Sequence, residues 1–338
     1  MTERLDPREV RIPIAYLRLI LAHFGSKEAS RADILEGSGL SEARMRDGTQ
    51  VLTLEELQPV QDNLARRFGE DWAISAPDLW AHSTYGALSL ASKSAPNLHQ
   101  ALRLITSSSA TIGPLWRHSL DITPKWSKFV YGRNVNIEER YWRWGLEVGF
   151  VGLRSLLYLY LSRPPTEARF MFECDSPRYA DRLKAVLGTE VVFNAEANAV
   201  EFPTSWLRKV SPLQNPTEFR LANWQLEAES TALSLSGPIK MRVQRLLQAK
   251  HNGRSTLPET AALLGFSERT LARRLSEENT SFRALIDAEL RQRAEGMLRL
   301  RTLKVGEIAE QLGYSDAPSF ARARRRWANI ARVTMRQR

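Results

Sequence analysis

Hydrophobic positions in the first two-thirds of the chain switch repeatedly between helical and strand spacing. Leu54, Leu57, Leu64 and Phe68 recur at helical intervals, so a helix is predicted over Leu54–Phe68, with others at Ile14–His23 and near Arg31–Leu35. Further helical patterns fall at Asn97–Ser107, Glu138–Tyr160, Arg178–Leu187 and Pro216–Ala232. Short strand patterns fall between them at Ala87–Ala91, Arg117–Ile122, Lys128–Gly132, Ala168–Glu173 and Ala199–Phe202. The interleaving predicts an α+β domain over residues 1–235 without fixing a sheet order. Ser234-Leu235-Ser236-Gly237-Pro238 punctuates the pattern and is the expected linker. Beyond it the spacing is helical throughout, which predicts an all-α domain over residues 236–338. A first helix is expected at Met241–Gln248. A long one is expected at Phe282–Leu300, with Leu285, Ile286, Leu290, Ala294, Met297 and Leu298 on one face.

Within that second domain a nine-residue pattern occurs twice. Glu259-Thr260-Ala261-Ala262-Leu263-Leu264-Gly265-Phe266-Ser267 and Glu307-Ile308-Ala309-Glu310-Gln311-Leu312-Gly313-Tyr314-Ser315 both read E-x-A-x-x-L-G-aromatic-S, 48 residues apart. The residue types suit two short helices crossing at a sharp corner. Ala261 and Ala309 allow close backbone approach, and Leu264 and Leu312 face the shared core. Gly265 and Gly313 enter left-handed space, which glycine does without steric cost. Phe266 and Tyr314 plug the corner. Ser267 is placed to cap the following helix, as is either Ser315 or Asp316 in the second copy. Thr256-Leu257-Pro258-Glu259 fits a capping box ahead of the first unit. Two helix-turn-helix units joined by one long helix are therefore expected. At 1.5 Å per residue the connector spans about 27 Å, close to one turn of DNA at about 34 Å.

Charge sharpens this picture. The chain carries 48 Lys and Arg against 38 Asp and Glu, a net charge of +10. Residues 237–338 hold 21 of the basic groups and 10 of the acidic ones, leaving 27 and 28 for the remainder. The basic surplus lies wholly beside the repeats, as expected of a polyanion-binding domain attached to a neutral one. On the first reading helix, Glu268–Glu278, Leu271 and Leu275 face inward, which turns Arg269, Ala272 and Arg273 outward and sets Arg274 beside them. On the second, Asp316 to about Trp327, the inward residues are Phe320, Ala323 and Trp327. Arg269, Ala272, Arg273, Pro318 and Arg322 are the expected base contacts, since arginine can fork onto a guanine edge. Ser267, Arg274, Arg325 and Arg326 are the expected phosphate contacts.

The last hundred residues resemble the AraC/XylS-type DNA-binding domain. The paired corners, the connector Arg283–Leu300 and Ser319-Phe320-Ala321-Arg322-Ala323 carry the resemblance. The pattern departs at its end, where Arg324 stands for the family's second aromatic, Asn329 for its glycine, Arg332 for its proline and Met335 for its tyrosine, although Arg336 remains. The earlier region resembles the "arabinose-binding-type" N-terminal domain of one AraC subgroup. The carriers there are Leu35-Glu36-Gly37-Ser38-Gly39-Leu40, Tyr85–Ala91 and Ser94–Leu102. The resemblance implies a sequence-specific transcriptional regulator that binds promoter DNA and acts with RNA polymerase. Its first domain would sense a small-molecule effector or form a homodimer. It does not make arabinose the ligand.

Eight of the nine tryptophans precede residue 237, and aromatic clusters suit ring-bearing effectors. Trp116, Trp126, Trp142 and Trp144, with Tyr131 and Tyr141 nearby, form the expected effector pocket, and Arg133 or Arg143 would pair an effector carboxylate. Cys174 is the single cysteine, so neither a disulfide framework nor a cysteine metal site is expected, and a reducing cytoplasm fits. The apolar run Leu146–Leu161 contains Glu147 and Arg154 and is too short to span a bilayer. The five histidines show no metal-binding spacing, and no nucleophile elbow or phosphate-cradling glycine loop occurs. No cofactor, metal or catalytic activity is expected. Two rival classes are an enzyme tethered to a DNA-binding tail and an architectural DNA binder that needs no ligand.

Overall fold

A computed structural model of the chain describes residues 5–25, 28–46, 51–81, 86–112, 115–235, 239–249, 253–299 and 305–336. The chain divides into two compact units, Arg4–Glu227 and Ala228–Arg338. The expected linker begins inside a helix, Pro216–Leu235, and its residues Ser236, Gly237 and Pro238 lie outside the described residues.

The first unit mixes helices and strands. A two-stranded antiparallel ribbon, β1 (Arg11–Pro13) with β2 (Val51–Thr53), leads into helices on both strands: α1 (Ile14–Phe24) follows β1 and α4 (Leu54–Phe68) follows β2. Between them lie α2 (Glu28–Leu35) and α3 (Glu42–Arg46). Thr53 and Glu56 form the reciprocal capping box that starts α4, each side chain accepting the other's backbone N–H. The early turn that carries the family resemblance is locked from within. Gly37 and Gly39 both take positive φ, and the Ser38 hydroxyl donates to Leu35 O while accepting from Leu40 N–H.

After α5 (Trp72–Ser75), α6 (Ala87–Ser94) and α7 (Leu98–Ile112), a five-stranded sheet is laid down in the order β3 (Trp116–Ile122), β4 (Trp126–Arg133), β7 (Ala199–Pro203), β5 (Arg169–Met171), β6 (Glu190–Val192). All neighbours are antiparallel except β5 and β6. The 23-residue helix α8 (Glu139–Leu161) packs on this sheet, and α9 (Ala180–Leu187) precedes β6. Phe150 of α8 sits at the centre, with ring centroids 5.1 Å from Tyr131, 5.4 Å from Phe170 and 4.8 Å from Phe172. Helix and strand approach closely because Gly149 carries no side chain. A Cβ there would meet the Tyr131 ring at 3.1 Å, tighter than ordinary contact.

One expected strand is a helix. Ala87–Ala91 belongs to α6, where Ala87, Leu88 and Ala91 are buried at helical spacing against Ala222 and Leu226 of α10 (Pro216–Leu235), while Leu90 is 45% exposed. The alternation Leu88-Ser89-Leu90 imitates a strand, but tertiary packing onto α10 decides the period. The strands β1, β2 and β6 are each three residues long, too short to leave a pattern.

The second unit is helical throughout its described residues: α11 (Ile239–Ala249), α12 (Leu257–Leu263), α13 (Glu268–Glu277), α14 (Phe282–Arg299), α15 (Val305–Gln311) and α16 (Ala317–Arg336). Its core joins Val243, Leu271, Leu275 and Leu290 to Ile308, Leu312 and Phe320, so both corner motifs share one apolar interior. Among the described residues no helix is long and apolar enough to cross a membrane, and no group of three or more side chains could hold a metal ion.

Candidate nucleic-acid interface

The two corners are built by the same hydrogen bonds. In the first, Phe266 N–H donates to Ala261 O at 2.9 Å and Gly265 N–H to Ala262 O at 3.0 Å. In the second, Tyr314 N–H donates to Ala309 O at 2.9 Å and Gly313 N–H to Glu310 O at 2.9 Å. The small alanines thus supply the carbonyls that close each corner as well as the room for it. Gly265 and Gly313 sit at φ +71° and +79°, the left-handed geometry that ends a helix with this pair of bonds.

The corners differ in what surrounds the glycine. A Cβ at Gly265 would meet nothing within 4 Å, whereas one at Gly313 would lie 2.7 Å from Arg254 N. The Gly253–Arg254 loop, which leads into the first helix-turn-helix, is pressed against the second one. Gly253 N–H donates to Gln311 O at 3.0 Å, and Arg293 of the connector α14 donates to Gly253 O at 3.2 Å.

Helices of both helix-turn-helix units start from side-chain caps. Thr256 and Glu259 complete the expected capping box ahead of α12, and the Ser267 hydroxyl accepts from Thr270 N–H at 3.2 Å to start α13. For α16 the cap is Asp316, whose Oδ1 accepts from Ser319 N–H at 2.6 Å, while Ser315 donates its hydroxyl to the same carboxylate. These bonds hold the Asp316 carboxyl below the usual carboxylate range, Ser319 first among the causes.

Along α13, Leu271 and Leu275 are wholly buried while Arg269, Ala272, Arg273 and Arg274 are exposed. Arg273 pairs with Glu277 one turn on at 2.8 Å, and Arg274 lies over the Phe266 ring at 4.4 Å. Along α16, Phe320, Ala323 and Trp327 are buried, and Pro318, Arg322, Arg324 and Arg325 are exposed. Arg322 donates to the Ser319 hydroxyl at 2.7 Å. Arg324 stands at inward spacing yet reaches the surface, its guanidinium 5.9 Å from the Phe320 ring centroid, because an aliphatic stem can cover apolar surface while its charge stays in water.

Arg326, expected to meet phosphate, is paired within the domain. Its fork is turned inward and closed on Asp287 of α14, so its guanidinium holds the connector to α16. The closing helix runs on through Asn329 and Arg332 to Arg336, since neither residue breaks a helix as the family's glycine and proline would. The side chains of Asn329, Arg332 and Met335 lie outside the described residues.

Most of the expected effector cluster is engaged in packing and ion pairs within the unit. Trp144 is 1% exposed, packed edge-on against Trp72 and Tyr141, with its indole N–H donated to Glu70 O. Trp142 is 3% exposed and covered by Arg133, which also pairs with Glu139 at 3.1 Å. Arg143 lies between Glu70, at 3.2 Å, and the wholly buried Glu147, at 3.8 Å. Trp126, at the far end of β4, lies under Arg169. Both arginines offered for an effector carboxylate therefore already face carboxylates of the chain. Burial drives the Glu147 carboxyl up to about 8, against the opposing pull of the Tyr179 hydroxyl at 2.8 Å and of Arg143. Of the six residues, Trp116 lines a cavity of about 30 Å³ among the described residues of this unit, bounded also by Ile12, Tyr16, Leu57, Gln61 and Tyr141. That volume holds one or two waters, so an effector entering there has to widen it.

Comparison with known proteins agrees with this architecture. Residues 29–210, more than half of the chain, match the family described as the arabinose-binding domain of AraC transcription regulators, and residues 260–338 match a helix-turn-helix domain. The chain is similar to the ornithine utilization regulator of Pseudomonas aeruginosa, 29% identical over 180 residues covering 52% of this chain and 53% of that one. It is also similar to the HTH-type transcriptional regulator VqsM of the same organism, 29% identical over 157 residues covering 44% of each. These two alignments reach only about half of either relative. An uncharacterized HTH-type transcriptional regulator of Mycobacterium tuberculosis aligns over 96% of both chains at 25% identity. With the duplicated corners and the matched first unit together, the chain belongs to the AraC-type transcription regulators that carry an arabinose-binding-type N-terminal domain.

Proposed function

We propose that this regulator reads promoter DNA with α13 and α16, each entering a major groove of the same duplex. Arg269, Ala272 and Arg273 on the first helix, with Pro318 and Arg322 on the second, meet base edges. Ser267, Arg274 and Arg325 meet phosphates. The observation that carries the reading is the repetition of one corner, bond for bond, 48 residues apart, each time opening a helix whose outer side bears exposed arginines. The +11 charge of this region and its absence from the rest of the chain point the same way. Mapping genomic fragments retained by the full chain tests it. Retention of a restricted set with a shared bipartite motif is expected. Equal affinity for all fragments would leave the architectural rival standing.

The first unit is proposed to bind a small-molecule effector and so to bias the regulator between states with different affinity for DNA or RNA polymerase. The cavity beside Trp116, Gln61 and Tyr141 is the place proposed for it, supported by the mostly apolar wall. Self-association is proposed through α10, where Leu221 and Trp224 are 62% and 70% exposed at adjacent turns. A monomer in sedimentation at all concentrations, unaltered by Trp224→Glu, would remove the homodimer from this reading. The cytoplasm is the compartment in which such a regulator meets its promoter.

A further inference from the structure

Two side chains on the wall of the first unit's cavity each bury a polar atom without pairing it. Gln61 is 3% exposed and Trp116 7%, yet Gln61 Oε1 and Trp116 Nε1 find no hydrogen-bond partner among the described residues. One is an acceptor and the other a donor. An unpaired polar atom in the interior is a standing cost to the fold, so its retention on a cavity wall calls for an explanation. Gln61 comes from α4 and Trp116 opens β3, so the cavity lies where the ribbon and its helices meet the sheet and α8.

The wall around these two atoms is otherwise apolar, with Ile12, Leu57, Leu115 and Val148. Gly145 of α8 keeps the space open. A Cβ there would meet Leu115 Cδ2 at 3.2 Å and Trp116 Cζ2 at 3.9 Å. Cζ2 is separated from the indole nitrogen by one ring atom, so the nitrogen-bearing edge of Trp116 faces this wall. Among the described wall residues Arg11 is the single formal charge; it is exposed, and its Nη1 donates to Arg8 O. Tyr141 donates its hydroxyl to Asp62 at 2.7 Å, and burial, then that carboxylate, push the phenol up to about 12, so it stays neutral.

This wall suits few kinds of molecule. A carboxylate or ammonium group would be buried there without a counter-ion. Arabinose, the sugar in the family's description, carries more hydroxyls than two polar atoms can satisfy, and the rest would face leucine and valine. We propose that the effector is an uncharged, mainly apolar molecule with one hydroxyl or amide, which donates to Gln61 Oε1 and accepts from the Trp116 indole N–H. The inference rests on the reading of this cavity as the effector site and names the chemistry that the site selects.

The test uses the full chain and four probes: phenol, toluene, benzoate and L-arabinose, each titrated by ligand-observed nuclear magnetic resonance. Phenol and toluene match in shape and differ in the hydroxyl. Phenol is expected to bind roughly tenfold more tightly than toluene, and more tightly than benzoate or arabinose. Gln61→Met and Trp116→Phe remove the polar atoms and keep apolar bulk, so the unfolding midpoint is expected to hold or rise in Gln61→Met. The preference for phenol over toluene is expected to vanish when the two changes are combined. Gly145→Ala narrows the space and is expected to weaken phenol and toluene alike. Equal binding of phenol and toluene, tighter binding of benzoate or arabinose, or a preference for phenol that survives the double variant overturns the proposal. Binding of none of the probes, or binding that Gly145→Ala leaves unchanged, would instead strike the cavity as the effector site, and the inference with it.

Discussion

Arg326 on the second reading helix and Asp287 on the connector α14 are joined by a fork, Nη2 to Oδ1 at 2.7 Å and Nε to Oδ2 at 3.2 Å. The aspartate side chain is 9% exposed and the arginine side chain 38%, so the pair sits at the edge of the core. Breaking a fully buried pair costs about 3–5 kcal/mol, and exposed pairs are worth about 1 kcal/mol or less. An intermediate loss of about 1–3 kcal/mol is expected for Arg326→Ala or Asp287→Ala. Urea unfolding of the two variants should agree, and the salt dependence of DNA binding should keep its slope. A flattened slope in Arg326→Ala would return this residue to the phosphate contacts.

Gly265 and Gly313 occupy equivalent corners in unequal surroundings. Alanine at Gly265 meets only the backbone penalty of left-handed geometry, about 1–2 kcal/mol. Alanine at Gly313 meets that penalty and the backbone of Arg254 as well. Gly313→Ala is therefore expected to lower the thermal midpoint clearly more than Gly265→Ala, which differential scanning calorimetry can read. Equal shifts would mean that the Gly253–Arg254 loop yields easily.

Base and phosphate contacts should separate in selection experiments. Arg269→Ala is expected to relax preference at one or two positions of the site, where a bidentate contact is worth about 1–3 kcal/mol. Arg325→Ala is expected to weaken binding to every sequence alike and flatten the salt slope by about 0.9. Selection from randomised duplexes, compared between the two variants, checks both.

Glu147 gives the first unit a pH dependence of known sign. Its folded carboxyl titrates near 8, above the unfolded value of 4.5, so between these values the folded chain keeps a proton that the unfolded chain has lost. Stability then falls as pH rises. His118 opposes this trend mainly at lower pH, since burial depresses its imidazole to about 3 from an ordinary 6.5. Between pH 6.5 and 8 the Glu147 effect outweighs the remaining His118 contribution, for a net loss of about 1 kcal/mol. Denaturant unfolding at these two pH values is expected to show the loss in the natural chain and little of it in Glu147→Gln. An equal loss in both would place the titration elsewhere.

The second unit was legible in the sequence because its determinants are local. A corner of two helices is fixed by residues within nine positions of one another, so Ala261, Gly265 and Ser267 declare their roles without knowledge of the rest of the fold. What escaped depends on partners distant in sequence. Arg326 looks like its neighbour Arg325 until Asp287, 39 residues earlier, closes on it. Leu88 and Leu90 look like a strand until α10, more than 120 residues later, covers one side of the segment. The tryptophans of the first unit were recognisable as a cluster, but their spacing along the chain could not show that Trp142, Trp144 and Arg143 are spent on internal contacts. The choice between Ser315 and Asp316 as cap depends on side-chain reach, which a sequence leaves open.

The loop that wedges Gly253 and Arg254 against Gly313 has a consequence for the operator rather than for the protein. It ties the two helix-turn-helix units to one another, through Gly253 N–H on Gln311 O and Arg293 on Gly253 O, which opposes independent rotation of either. One base pair inserted between the half-sites rotates one against the other by roughly 35° on a duplex of about 10.5 base pairs per turn. If α13 and α16 read the duplex as proposed, a tied pair of units resists that rotation. Either the DNA twists to meet it or one half-site goes unread, and the distance between half-sites becomes as much a part of the recognised signal as the bases themselves.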